Sequence, residues 1–98
     1  MGVAMTAAAP LLRLPATLTL QQARATTESL EQAIAAHPSP VRIDAASLTS
    51  FDSSALAVLL ACQRSAQAAG KLCQLVQAPP KLKALAALYG VDGLLPSS

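Results

Sequence analysis

The chain is poor in the residues that most often announce a function. Its 98 residues hold no tryptophan, one tyrosine, one phenylalanine and one histidine. Stacking platforms for bases or sugars are therefore excluded, since they need exposed aromatic rings. Charge is scarce too, at 12% of residues with a formal net charge of +2. The lysines and arginines stand singly rather than in a stripe, which argues against a nucleic-acid footprint. Two cysteines, Cys62 and Cys73, occur without a CxxC pattern or neighbouring histidines, so they read as buried thiols rather than zinc ligands. The four glycines stand apart, so neither GxGxxG nor GxxxxGK is present and no phosphate-cradling loop is expected.

Long apolar runs are also missing. The longest, Ala55 to Cys62, falls far short of the ~20 residues that cross a bilayer. The opening MGVAMTAAAP lacks a basic n-region and is interrupted by Pro10, which reads as a flexible leader over residues 1–10 on a cytoplasmic protein. Met1, Gly2 and Thr6 satisfy the permissive myristoylation pattern, but a frayed leader is the better reading. What is abundant is small and apolar: 53% of residues are hydrophobic, mostly alanine, leucine and valine. That is enough for one compact core and one domain, taken as residues 11–98.

Periodicity divides the domain. Leu11 to Leu18, carrying Arg13 and Pro15, suits an edge strand, where a proline need not donate a ladder hydrogen bond. Thr19 followed by Gln22 forms a capping-box start, with Ala23, Thr27, Leu30 and Ile34 on one face of a helix over residues 20–36. His37-Pro38-Ser39-Pro40 ends it. Val41 and Ile43 alternate with Arg42 and Asp44 in an inner strand leading to a loop at Phe51. Asp52, Ser53 and Ser54 precede a second helix whose apolar face starts at Ala55, Leu56, Leu59 and Leu60 and which Gly70 ends. Lys71 to Gln77 is a further strand, and Pro79-Pro80 open a third helix with Leu82, Leu85 and Tyr89 inward. Gly90 is placed for a left-handed cap, after which Val91, Leu94 and Leu95 fold back. The resulting fold class is α/β: a mostly parallel sheet of about four strands with right-handed crossovers and helices mainly on one face.

No catalytic set emerges. Asp44, Asp52 and His37 are the acid–base candidates and form no recognisable constellation, so no enzyme activity and no cofactor are expected. The one chemically suggestive place is the junction Phe51 to Ala55, where hydroxyls and free amides meet the positive end of a helix dipole. On spacing alone its plainer reading is a helix cap worth ~1 kcal/mol. Lys81 and Lys83, near the start of the third helix, oppose its dipole and read as solvated side chains.

Taken together, RIDAASLTSFDSSALAVLLACQRSAQAAGKLCQLVQAPPKLKALAALYGVDGLL resembles the STAS domain family. It shows the Asp-Ser-Ser/Thr-Gly-Leu signature as Asp52, Ser53, Ser54, Ala55 and Leu56, with alanine in place of the usual glycine. A position in the first turn of a helix tolerates that exchange. The tail LAALYGVDGLLP is similar to that of the STAS subunits of Mla phospholipid transporters. That resemblance implies a small STAS-like fold, related to anti-sigma factor antagonists. It implies a non-catalytic subunit that binds and regulates the cytoplasmic ABC-transporter ATPase (MlaF-like) of a system maintaining outer-membrane lipid asymmetry. The contact would centre on Ser53, with Asp52, Ser54 and Leu56 beside it. The subunit would sit at the inner membrane only through its partner, without membrane insertion. The alternative within the family is an anti-sigma factor antagonist, in which Ser53 would be phosphorylated by a partner kinase and lose its binding. Family members usually begin with two strands, whereas Met1 to Thr19 offers one. An incomplete sheet edge of that kind leaves self-association open.

Overall fold

A computed structural model of the chain describes residues 11–96. The expected leader 1–10 and the last two residues lie outside the described residues. The elements run β1 (Leu11–Arg13), β2 (Thr17–Leu18), α1 (Leu20–Ala36), β3 (Val41–Asp44), β4 (Ser50–Phe51), α2 (Ser54–Ala68), β5 (Cys73–Val76), α3 (Pro80–Leu88) and a 3₁₀ turn at Asp92–Leu94.

Among the described residues, five short strands form two sheets rather than one sheet of about four strands. One has the order β1-β3-β5 and the other pairs β2 with β4, and every pairing is parallel. The stretch Leu11 to Leu18, expected as one strand, breaks at Leu14-Pro15-Ala16 because proline has no amide to continue a ladder. Two strands therefore precede α1, as in STAS domains, but the second pairs with Ser50–Phe51, a segment read from sequence as loop. β3 is the inner strand and β1 an edge, both as expected.

The register explains which sheet face is covered. Val41, Ile43, Cys73 and Leu75 point to one side and are buried, while Arg42, Gln74 and Val76 on the other side stay partly exposed. α1 and α2 pack against each other, and α2 packs on β5. Leu18, Leu30, Ile34, Leu59 and Cys62 are buried between these layers, and the alanines Ala55 and Ala66 let the helices approach closely.

β2 and β4 are parallel neighbours that run directly into α1 and α2, so both helices start at the same end of the molecule. Both also finish at the opposite end. There Lys71, just past α2, donates its ammonium to the carbonyls of Ile34 (2.7 Å), Ala35 (3.1 Å) and His37 (2.7 Å) at the end of α1. A helix terminus leaves carbonyls unpaired and carries partial negative charge, so a cation with three donors answers both needs.

α2 and α3 end alike. Gly70 and Gly90 take φ of +70°, a left-handed conformation that glycine adopts without steric cost. The amides of Lys71 and Val91 then bond back to the carbonyls of Ala66 and Ala86, closing a Schellman arrangement in each helix.

Two inward expectations for the C-terminal region fail. Tyr89 is 56% exposed, and Leu94 is exposed as well. The Schellman reversal at Gly90 bonds the Val91 amide to the Ala86 carbonyl and brings Val91 back against the core, while Tyr89, just before the reversal, stays at the surface. Val91 and Leu95 do fold back as expected.

Candidate functional site

The Asp52-Ser53-Ser54 signature lies where β4 passes into α2. The Asp52 carboxylate accepts the Ser54 amide at 2.8 Å, forming an Asx-type turn at the helix entrance. That bond, with a smaller contribution from the amide of Leu20 at the start of α1, holds the Asp52 carboxyl below the usual aspartate range. Asp52 is thus a carboxylate at neutral pH, set between the N-termini of two parallel helices whose dipoles favour its charge.

Ser53 occupies the N-cap position, and its backbone carbonyl accepts the Leu56 amide at 3.0 Å. Its side chain makes no capping bond. A serine at an N-cap ordinarily spends its hydroxyl on the N2 or N3 amide. Here Asp52 does part of that work from one residue upstream, and Ser53 is left exposed with its hydroxyl outside the cap. The plain capping reading therefore applies to Asp52 and not to Ser53. Ser54 is half-buried in the first turn.

Leu56, grouped with these residues in the signature, is 3% exposed and belongs to the core. Its side chain does not reach the surface that Asp52 and Ser53 share, because positions 55 and 56 begin the inward face of α2, continued by Val58, Leu59 and Cys62. The structure thus brings Asp52, Ser53 and part of Ser54 together at the surface and leaves Leu56 as their support.

Sequence reasoning missed the flanks of this site. On one side a groove of about 460 Å³ runs between Phe51, Asp52 and Ser53 and the α3 residues Lys81, Ala84, Leu85, Leu88 and Tyr89. Leu88 is 77% exposed at its edge. On the other side Leu20, 76% exposed, stands with Ala23, Ala57 and Val58 along the α1–α2 seam. Exposed large side chains beside an uncommitted polar centre are the anatomy of an interaction surface. The sequence did hold a signal for the α3 side. Lys81, Ala84, Leu85 and Leu88 repeat at helical spacing, as Leu82, Leu85 and Ala86 do, so this short helix carries apolar residues on two faces.

The remaining candidates do not gather here. Asp44, buried at the end of β3, accepts the Ala46 amide on its carboxylate at 2.9 Å. His37 caps the end of α1, at the other end of the molecule. Cys62 and Cys73 are buried, and both thiols are pushed up by burial, Cys62 to about 12 with Cys73 and Glu31 adding to the effect. Among the described residues there is no cluster of three histidine, cysteine or acidic side chains able to hold a metal, and no helix long and apolar enough to cross a membrane.

No curated protein matches the chain. A family model described as "MlaB, STAS domain" does, over residues 1–96, which is nearly the whole chain and includes the signature, α3 and the tail. With the α/β fold and the Asp52-Ser53-Ser54 junction, that match places the chain in the STAS domain family, in its MlaB group.

Proposed function

We propose that this STAS domain is a non-catalytic subunit that docks on the cytoplasmic ATPase of a phospholipid-transporting ABC complex and regulates it. The reading places the chain in the cytoplasm, held near the inner membrane by its partner, in a system that maintains outer-membrane lipid asymmetry. Lipid itself would not touch it. The observation that carries the docking role is the exposed Ser53 hydroxyl, left out of helix capping and set between apolar surfaces on α1 and α3. A polar group ringed by apolar area suits a contact in which the hydroxyl fixes register and the surrounding side chains exclude water.

Ser53→Glu tests it. A carboxylate at a helix N-terminus suits the dipole, so the fold should be kept while the docking surface gains a charge. The tagged chain and this variant are used to retrieve partners from the native cytoplasm. Retention of an ABC-transporter ATPase by the wild type and its loss by Ser53→Glu support the reading. Retention of a kinase of the anti-sigma type would move the assignment to an anti-sigma factor antagonist phosphorylated at Ser53. Equal recovery of the ATPase by both chains would count against Ser53 as the contact.

A further inference from the structure

We infer that the cleft between the second half of α2 and the 3₁₀ turn binds a small carboxylate that also carries an N–H donor, the chemistry of an N-acylated amino acid with an apolar side chain. The cleft shares no residue with the Ser53 groove, and the inference is independent of the docking reading.

The cleft measures about 260 Å³ and is lined by Leu60, Gln63, Arg64, Gln67, Gly93 and Leu94. The four α2 residues stand at i, i+3, i+4 and i+7, one stripe along the helix. Two features of its walls go unexplained by folding. Gln63 Oε1 is buried with no hydrogen-bond partner, the one side-chain oxygen or nitrogen among the described residues in that state. Buried acceptors are ordinarily paired, and one left unpaired is costly. Gly93 is the second feature. Unlike Gly70 and Gly90 it does not take a positive φ, so its backbone suits any residue. A Cβ there would meet nothing within 4 Å beyond its own neighbours in the chain. The missing side chain serves no turn; what it does is leave the cleft open.

The walls set the ligand's chemistry. An unpaired carbonyl oxygen calls for a donor. The terminal amide torsion of glutamine is broad, so Gln63 can turn its oxygen to a donor entering the cleft at little cost. Beside it Arg64 is exposed, and the one ion pair among the described residues is Arg24–Glu28, so Arg64 has no carboxylate partner within that set. A planar guanidinium matches a carboxylate with two parallel hydrogen bonds. Asp92, next to Gly93, lines the neighbouring cleft with Lys83 and not this one. Leu60 and Leu94 supply apolar walls for a short aliphatic body. Size excludes the larger classes, since drug-sized ligands occupy roughly 300–1,000 Å³ and nucleotides and lipids would not fit.

The test titrates the isotope-labelled full chain with N-acetylleucine and follows its NMR spectrum. Saturable shifts should be confined to the second half of α2, the 3₁₀ turn and the Gln63 side-chain amide. The analogue with an ester oxygen in place of the N–H should bind about tenfold more weakly, because it leaves Oε1 unpaired. Arg64→Gln should weaken N-acetylleucine about tenfold. Gln63→Met should keep the fold and bind the two compounds equally. Gly93→Leu should fill the cleft, keep the melting temperature and abolish the shifts; should it melt lower, the preference lost in Gln63→Met decides. Ser53→Glu should bind as the wild type does. The inference is overturned by the absence of saturable shifts at millimolar ligand, by shifts elsewhere, or by equal affinity of the wild type for the ester analogue. Inorganic phosphate reproducing the same shifts would reduce the cleft to an anion contact at Arg64 and overturn it as well.

Discussion

The two ends of the α1–α2 pair are built on opposite terms. At the end where the helices finish, polar groups are matched: Lys71 serves three carbonyls of the α1 terminus, the Leu72 amide donates to the Ser39 hydroxyl at 2.9 Å, and Gly70 closes α2. At the end where they start, one aspartate secures the α2 entrance while Ser53 stays uncommitted and Leu20, Leu88 and Tyr89 face outward. Matched polar groups are concentrated at the first end and exposed apolar side chains at the second. A small domain can leave one end unfinished only if the rest is well closed, since its net stability is a few kcal/mol drawn from large opposing terms.

That contrast can be broken at several points. The largest effect should come from the core shared by both ends. Leu59→Ala, at a residue with 0% exposure, should cost about 2–5 kcal/mol and lower the urea midpoint accordingly. Next, Lys71→Met keeps the aliphatic stem but removes the charged donor from the α1 terminus, and should cost roughly 1–2 kcal/mol in the same assay. If Lys71→Met were neutral, the closed end would not be held as described. Ser53→Ala should change stability by less than ~0.5 kcal/mol, because its side chain caps nothing. A loss of ~1 kcal/mol or more would return Ser53 to the role of a structural cap.

Alkaline pH gives a smaller and more specific test. The buried Cys62 thiol is raised to about 12, above its ordinary value near 9.0. The unfolded chain therefore ionises at lower pH than the folded one, so this group's contribution is fully present below pH ~9 and is lost as pH rises toward 12. Comparing urea midpoints across that range, Cys62→Ala should lose less stability with rising pH than the wild type does. Equal slopes would mean that Cys62 does not stay protonated in the folded protein.

Much of this was legible in the sequence where the signal is local. Thr19 and Gln22 gave the start of α1, and the structure closes that box with Gln22 accepting from the Thr19 amide at 2.9 Å and hydroxyl at 2.7 Å. Gly70 and Gly90 were placed correctly because only a left-handed cap calls for glycine there. Asp52 and Ser53 were recognised as a pair, but which of them caps the helix depends on backbone geometry that the order of residues does not specify. Tyr89 was assigned to the wrong surface, whereas Leu56, read both on the apolar face of α2 and beside Ser53 in the contact, is buried on the first of these. Leu56 sits in a motif whose outer half faces solvent while its inner half faces the core, and Tyr89 continues a helical period that the chain abandons at Gly90. Lys71 was read as the start of a strand, and its role at α1 was hidden because its partners lie more than thirty residues away. The α3 stripe was visible in spacing, but only the burial of Leu82 and Ala86 on the opposite side shows that Leu88 is left at the surface.

The contrast between the two ends is tested most directly by measuring, on the same purified samples, the melting temperature and the affinity for the ABC ATPase of the wild type, Ser53→Glu and Lys71→Met. The account predicts that Ser53→Glu keeps the melting temperature and loses affinity by tenfold or more, while Lys71→Met melts several degrees lower and binds as the wild type does. Undiminished affinity in Ser53→Glu, or a loss of affinity confined to Lys71→Met, would contradict it.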